Sequence, residues 1–91
     1  MQGQFARSIA GHDHGNLYII IEETENEVFV ADGILKLCEK PKRKNRKHIQ
    51  IIKKECEYNK VILHKMENHE VVSNEEVKRA IKLYELEVKH V

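Results

Sequence analysis

The chain has 91 residues, a formal net charge of +1, 41% hydrophobic residues and 34% charged residues. A chain of this length forms one small domain that buries roughly 60–65% of its unfolded surface, which leaves no room for a deep catalytic cavity and disfavours an enzyme. No stretch approaches the ~18 apolar residues of a membrane span, and the N-terminus lacks the apolar run of a signal peptide, so we expect a cytoplasmic protein.

Short strands joined by turns are predicted over the first half of the chain. Runs of β-branched and aromatic residues indicate strands at residues 5–9, 17–21, 28–31, 34–38 and 48–52. Gly11 and Gly15 bracket the first turn and can take a positive φ. Asp32 and Gly33 are a strong signal for a hairpin between the third and fourth strands. Because Pro41 cannot donate to a strand ladder, we expect residues 40–47 to form a loop.

The second half of the chain has helical patterning. Ser73 and Glu76 have the spacing of a capping box, and apolar residues then recur at helical intervals, which predicts a helix over 74–87. Residues 58–66 suit either a strand or a short helix. We therefore predict a mainly β protein, a small five-stranded SH3-like barrel over residues 1–55 with a helical C-terminal extension over residues 56–91 packed on it.

The distribution of charge is very uneven along the chain. Residues 1–35 carry one Lys or Arg against six Asp or Glu, residues 36–54 carry nine against one, and residues 55–91 carry six against eight. Six of the eight residues of the basic segment, residues 40–47, are cationic. Such a local positive field fits a polyanion, most commonly nucleic acid, although a solvated loop can have the same composition.

Two stretches resemble the KOW family. Residues 3–16 resemble the KOW motif, and Ala31-Asp32-Gly33 followed by Lys40-Pro41-Lys42-Arg43-Lys44-Asn45 and Lys47-His48-Ile49 resembles its bacterial single-domain form. These proteins are similar to archaeal and eukaryotic large-subunit ribosomal proteins of the KOW type. The resemblance covers about residues 3–52 and implies an SH3-like barrel that contacts ribosomal RNA. It also implies a helix at residues 58–66.

The first loop, residues 11–16, departs from the family pattern. Family members commonly carry Arg or Lys where this chain has His12 and His14. Since histidine is mostly neutral at pH 7, the first loop should attract phosphate less strongly than the resemblance implies. The basic segment would have to supply more of the affinity, with Arg43 and Arg46 able to hold a phosphate bidentately or stack on a base.

These observations assign roles to individual residues. Gly11, Asp13, Gly15, Asp32 and Gly33 are expected to be structural. The residues expected to contact RNA are Arg7, His12, His14, Asn16, Lys36, Lys40, Lys42, Arg43, Lys44, Asn45, Arg46, Lys47 and His48.

Catalysis and metal binding are not expected. The sequence has no nucleophile beside a base and no nucleotide-binding fingerprint, and His12, Asp13 and His14 lack further metal ligands nearby. The cysteines, Cys38 and Cys56, lack the spacing of a zinc pair and are interpreted as reduced thiols. We therefore expect no catalytic residue, cofactor, metal or small-molecule substrate.

Two functions remain open from the sequence. The first is a monomeric, non-catalytic, ribosome-associated protein that contacts structured ribosomal RNA through the basic segment and the first loop. The alternative is a protein-interaction module whose SH3-like barrel binds a peptide or an acidic partner. Peptide-binding barrels usually have an aromatic-lined groove, and this chain has no Trp.

Overall fold

A computed structural model describes residues 2–53 and 56–89. The five strands are β1 (Phe5–Ser8), β2 (Leu17–Glu23), β3 (Glu27–Ala31), β4 (Lys42–Asn45) and β5 (Ile49–Ile52). The helices are α1 (Lys60–Glu67) and α2 (Asn74–Lys89), and short 3-10 turns cover Arg46–His48 and Glu57–Asn59. The prediction of a mainly β protein whose C-terminal part is helical is confirmed.

The strands form one antiparallel sheet in the order β4-β3-β2-β1-β5. In a flat sheet the edge strands β4 and β5 would lie about 19 Å apart. The chain between Asn45 and Ile49 spans at most about 14 Å, so the sheet must curve to bring its edges closer. Within the described ranges, β4 and β5 do not pair with each other. The sheet is therefore open, and a closed barrel is not confirmed.

Both faces of the sheet are buried. On one face Phe5, Leu17 and Ile19 pack with Ile62 of α1 and with α2, whose buried residues Val77 and Ala80 belong to the same cluster. On the other, inner face, a second cluster contains residues of β1, β2, β3 and β5: Ala6, Tyr18, Ile20, Val28, Val30 and Ile49. The alternating residues of β2 therefore serve two cores. This explains why its sequence is apolar without interruption from residue 17 to residue 21.

The helices match the sequence expectations. Ser73 Oγ accepts from the N–H of Glu76 at 3.2 Å, and the Glu76 carboxylate accepts from the N–H of Ser73 at 3.0 Å, which confirms the capping box. Residues 58–66 lie in a 3-10 turn followed by α1, so the helix implied by the family resemblance is confirmed. The predicted boundary between residues 55 and 56 adjoins residues 54 and 55, which lie outside the described residues. No helix in the described part of the chain has the length and apolar character needed to cross a membrane.

The fourth strand lies at a different place from the one predicted. Residues 34–38 are not a strand, and β3 pairs instead with Lys42–Asn45, so the basic segment contains a strand and a 3-10 turn where a loop was predicted. The β3–β4 loop, residues 32–41, is held by Asp32. Its Oδ1 atom accepts from the backbone N–H groups of Ile34, Leu35 and Lys36 at 2.9, 3.0 and 2.9 Å. These N–H groups are then not free for strand pairing.

Candidate nucleic-acid interface

The first loop and the β3–β4 loop leave the same end of the sheet. β1 ends and β2 begins at this end, and the antiparallel register places Ala31, the last residue of β3, opposite Ile19. Lys42, the first residue of β4, lies opposite Val30. The two segments that resemble the KOW pattern are thereby neighbours in space, although residues 17–30 separate them in sequence.

Backbone hydrogen bonds define the first loop. The N–H of Gly15 donates to the carbonyl of Ser8 at 2.8 Å, and the N–H of Asn16 donates to the carbonyl of Asp13 at 2.9 Å. Gly11 and Gly15 have φ values of 87° and 91°, the left-handed region that favours glycine. Three side chains of this loop are exposed: His12, His14 and Asn16.

Asp13 is the centre of a polar cluster beneath the first loop. Lys44 Nζ lies 2.7 Å from both of its carboxylate oxygens. The Tyr18 hydroxyl donates to Asp13 Oδ2 at 2.8 Å, and the Ser8 hydroxyl donates to Oδ1 at 3.0 Å. Burial by itself raises the pKa of Asp13, but the hydrogen bonds from Lys44, Tyr18 and Ser8 outweigh it, so the pKa lies well below its ordinary value. Asp13 is therefore an anion in the folded protein.

Lys44 is buried in this cluster. Its side chain is 8% exposed, and its Nζ atom also donates to Ser8 Oγ at 2.7 Å. Lys44 lies opposite Val28 on the inner face of the sheet, so its amine connects the edge strand β4 to the first loop and to the end of β1. A phosphate could reach this amine only by displacing Asp13. The structure thus gives Lys44 a role in holding the first loop against the basic segment.

The two arginines of the basic segment lie against acidic groups. Arg46 donates to the Glu23 carboxylate at 2.8 Å and to the carbonyl of Thr24 at 2.8 Å. The Arg43 guanidinium lies 3.2 Å from a carboxylate oxygen of Glu27. Glu23 ends β2 and Glu27 begins β3, so both carboxylates lie at the end of the sheet opposite the first loop. A phosphate held bidentately by either arginine would compete with these ion pairs.

The remaining predicted contacts include four lysines, of which Lys40 and Lys47 are exposed and Lys36 and Lys42 are half-buried. In the described ranges, the amines of Lys36, Lys40 and Lys47 contact no carboxylate. Lys42 Nζ lies 3.5 Å from Asp13, whose charge Lys44 already neutralises, and its side chain is 37% exposed. These four lysines can therefore offer positive charge to a ligand.

Three other predicted contacts are partly engaged in the fold. The Arg7 guanidinium donates to the carbonyl of Gly15 at 2.7 Å and so braces the first loop. The Asn45 side chain accepts from the N–H of Lys47 at 2.9 Å and caps the 3-10 turn. The carbonyl of His48 accepts from the N–H of Ile9 at 2.9 Å, which ties this turn to the strand that leads into the first loop, while the His48 side chain is exposed.

The partners of Asp13 were not predicted from the sequence. Ser8 and Tyr18 hold its carboxylate, and neither was assigned a role at the site. Alternation along the strands offered one signal, since Ser8 and Tyr18 occupy inner-face positions of β1 and β2. A buried Tyr hydroxyl and a buried Ser at such positions need polar partners.

Metal binding and thiol chemistry are not indicated at this site. In residues 2–53 and 56–89, no three His, Cys, Asp or Glu side chains converge to hold a metal ion. Cys38 and Cys56 are free thiols, and burial raises the pKa of Cys38, which keeps the thiol protonated and poorly reactive.

No protein-family model matches this chain, and no curated protein matches it either.

Proposed function

We propose that this chain is a non-catalytic RNA-binding protein of the KOW type, associated with the ribosome and in contact with structured ribosomal RNA. The observation that carries the proposal is the buried Lys44–Asp13 pair, which fixes the first loop beside a segment rich in cations. A loop with a fixed conformation loses little entropy when it binds. It can therefore present His12, His14 and the neighbouring lysines to a phosphate backbone of matching shape.

The charges available for binding are fewer than the sequence suggests. Among the residues predicted to contact RNA, the lysines whose charge is free or nearly free are Lys36, Lys40, Lys42 and Lys47. Each phosphate that a protein neutralises releases counterions and contributes about −0.9 to the log–log dependence of duplex affinity on salt. Four such contacts give a slope of about −3 to −4. Ion pairing of Arg43 and Arg46 reduces their contribution unless RNA displaces the carboxylates.

The fold is consistent with an SH3-like barrel as the framework of this proposal. The curved sheet, the irregularity between Ile20 and Glu22 in β2 and the three-residue 3-10 turn between the edge strands support such an arrangement. Such a barrel would recognise the shape and the phosphate backbone of the RNA. Tyr18 on the inner face and Phe5 on the helix-covered face are buried and cannot stack on bases.

Filter binding to a structured ribosomal RNA fragment tests the proposal. Replacing three lysines of the site by Gln should weaken binding more than tenfold and flatten the salt dependence, and the small loss of stability from Lys42 should leave the protein folded. A control with the same change in charge replaces three helix lysines and should bind within about threefold of the unmodified protein. Equal losses in both variants would show that only net charge matters and would contradict the proposed site. The site variant is Lys40→Gln, Lys42→Gln and Lys47→Gln, and the control is Lys60→Gln, Lys78→Gln and Lys82→Gln.

Co-sedimentation with ribosomal subunits at increasing salt tests the ribosomal part of the proposal. The unmodified protein should sediment with subunits and dissociate as salt rises, and the site variant should dissociate at lower salt. Binding to the RNA fragment without any co-sedimentation would contradict the ribosomal association and leave RNA binding in place.

A further inference from the structure

The β3–β4 loop presents two adjacent large apolar side chains to solvent. Ile34 is 64% exposed and Leu35 is 81% exposed. Single exposed apolar residues are common on protein surfaces. An adjacent pair at the tip of a well-defined loop, at the same end of the sheet as the first loop, suggests a contact surface.

The fold holds this apolar tip in one orientation. Asp32 accepts hydrogen bonds from the backbone N–H groups of both apolar residues, which closes the turn beneath them. Gly33 has a φ of 80° and packs so closely on the first turn of α2 that a Cβ atom there would collide with the carbonyl oxygen of Asn74. Cys38 N–H donates to Asn74 Oδ1 at 2.7 Å, which ties the other side of the loop to the same helix. The tip is therefore anchored on α2 from both sides.

Charges of both signs border the apolar tip, but hydrogen bonds from the fold occupy the two carboxylates: Asp32 accepts from three backbone N–H groups, and Glu39 accepts from Asn74 Nδ2 at 3.1 and 3.0 Å. Lys36 follows Leu35 directly, and a backbone bridge between Leu37 and Lys40 folds the next residues into a compact turn. Within the described residues the amines of Lys36 and Lys40 contact no carboxylate. An apolar surface next to free cations is complementary to a polyanion that also exposes flat, weakly polar faces.

RNA has this combination only where its bases are unpaired. In a continuous A-form duplex, stacking covers the base faces and the major groove is too narrow for side chains, whereas bulges and loops expose unstacked bases between phosphates. An acidic protein segment would also offer negative charge. The position of the tip, at the end of the sheet where the first loop and Lys42 lie, favours RNA.

We propose that Ile34 and Leu35 pack against unpaired bases of the target RNA, while Lys36 and Lys40 neutralise the adjacent phosphates. This inference rests on the proposed RNA-binding function and specifies its target as a helix interrupted by a bulge or loop. The first loop and the exposed lysines then bind the helical backbone, and the apolar tip distinguishes the interrupted helix from a continuous one.

Two RNA hairpins with the same stem test the inference, one with a three-nucleotide bulge and one fully paired. The full chain should bind the bulged hairpin about tenfold more tightly, which is roughly what burial of one aliphatic side chain provides. Ile34→Ser with Leu35→Ser should reduce this preference to less than twofold and leave the affinity for the paired hairpin unchanged. Val71→Ser, at a side chain 88% exposed in the connection between the helices, is the matched control and should keep the full preference. Melting temperatures establish that the variants are folded, and Leu35→Ser alone provides a milder variant.

The outcomes separate the inference from the proposed function. If the unmodified protein binds both hairpins equally well, or if the double variant keeps the preference for the bulge, the inference is wrong and RNA binding stands. If both hairpins and the ribosomal RNA fragment fail to bind at low salt, the proposed function is wrong and the inference fails with it. If the double variant keeps its RNA preference but loses a protein partner that the control retains, the tip contacts protein and the inference is also wrong.

Discussion

Replacement of Lys44 by Met should destabilise the protein far more than the replacement of any exposed lysine. Met fills a similar volume but leaves the Asp13 carboxylate without the amine that lies 2.7 Å from both of its oxygens. Loss of one partner of a buried pair costs about 3–5 kcal/mol. We expect about 3 kcal/mol, the lower end, because Tyr18 and Ser8 still donate to the carboxylate. For a domain of this size the melting temperature should fall by roughly 12–24 °C.

Urea unfolding monitored by circular dichroism measures this effect. Lys42→Met is the matched control, since Lys42 lies on the same strand and face but is 37% exposed and 3.5 Å from Asp13, and it should cost less than about 1 kcal/mol. The double variant Lys44→Met with Asp13→Asn should recover part of the lost stability, because it leaves no unpaired buried charge. If Lys44→Met and Lys42→Met unfold at the same urea concentration, Lys44 is not buried in an ion pair and the reasoning is refuted.

Three further predictions concern acid stability, pH-dependent binding and helix capping. Because pairing holds the pKa of Asp13 below its unfolded value, its contribution to stability is present above about pH 4 and is lost as the pH falls further. Asp13→Asn should therefore flatten the fall in unfolding free energy below about pH 4, and an unchanged pH dependence in that range would contradict the pairing. If His12 and His14 face phosphate, lowering the pH from 7.5 to 6 should tighten RNA binding, and His12→Gln with His14→Gln should remove that dependence. A pH-independent affinity of the unmodified protein would exclude the pair as titrating contacts. Ser73→Ala should lower the unfolding free energy by about 1 kcal/mol through the lost cap. It should leave the RNA affinity of the folded protein unchanged, and a weakened affinity would place α2 in the binding surface.

The sequence predicted most elements of the fold because their apolar patterns are local. Strands β1, β2, β3 and β5 begin and end within two residues of their predicted limits, and α2 begins at the residue that its capping box predicts. The fourth strand was misplaced because residues 34–38 have strand-like composition, whereas the true strand reads Lys42-Arg43-Lys44-Asn45 and contains no apolar residue. The hydrogen bonds that Asp32 accepts from residues 34–36 keep these residues out of the sheet, and β3 pairs instead with β4.

The candidate site was predictable in its location but not in its division of roles. Glycine spacing indicated the first loop, and charge indicated the basic segment. Whether a given cation is free depends on partners distant in sequence: Lys44 pairs with Asp13, 31 residues away, and Arg46 with Glu23, 23 residues away. Such pairs depend on strand register and sheet curvature, which a pattern of charges along the chain does not contain.

The open sheet has a consequence for aggregation. Exposed edge strands can pair with other chains, and proline or an inward-pointing charge on an edge hinders such pairing. Edge strand β4 is preceded by Pro41 and has Lys44 pointing inward, whereas edge strand β5 reads Ile49-Gln50-Ile51-Ile52 and carries no charge. The Lys44–Asp13 pair therefore protects one of the two edges as well as positioning a loop, and concentrated Lys44→Met protein should form β-rich aggregates more readily than Lys42→Met.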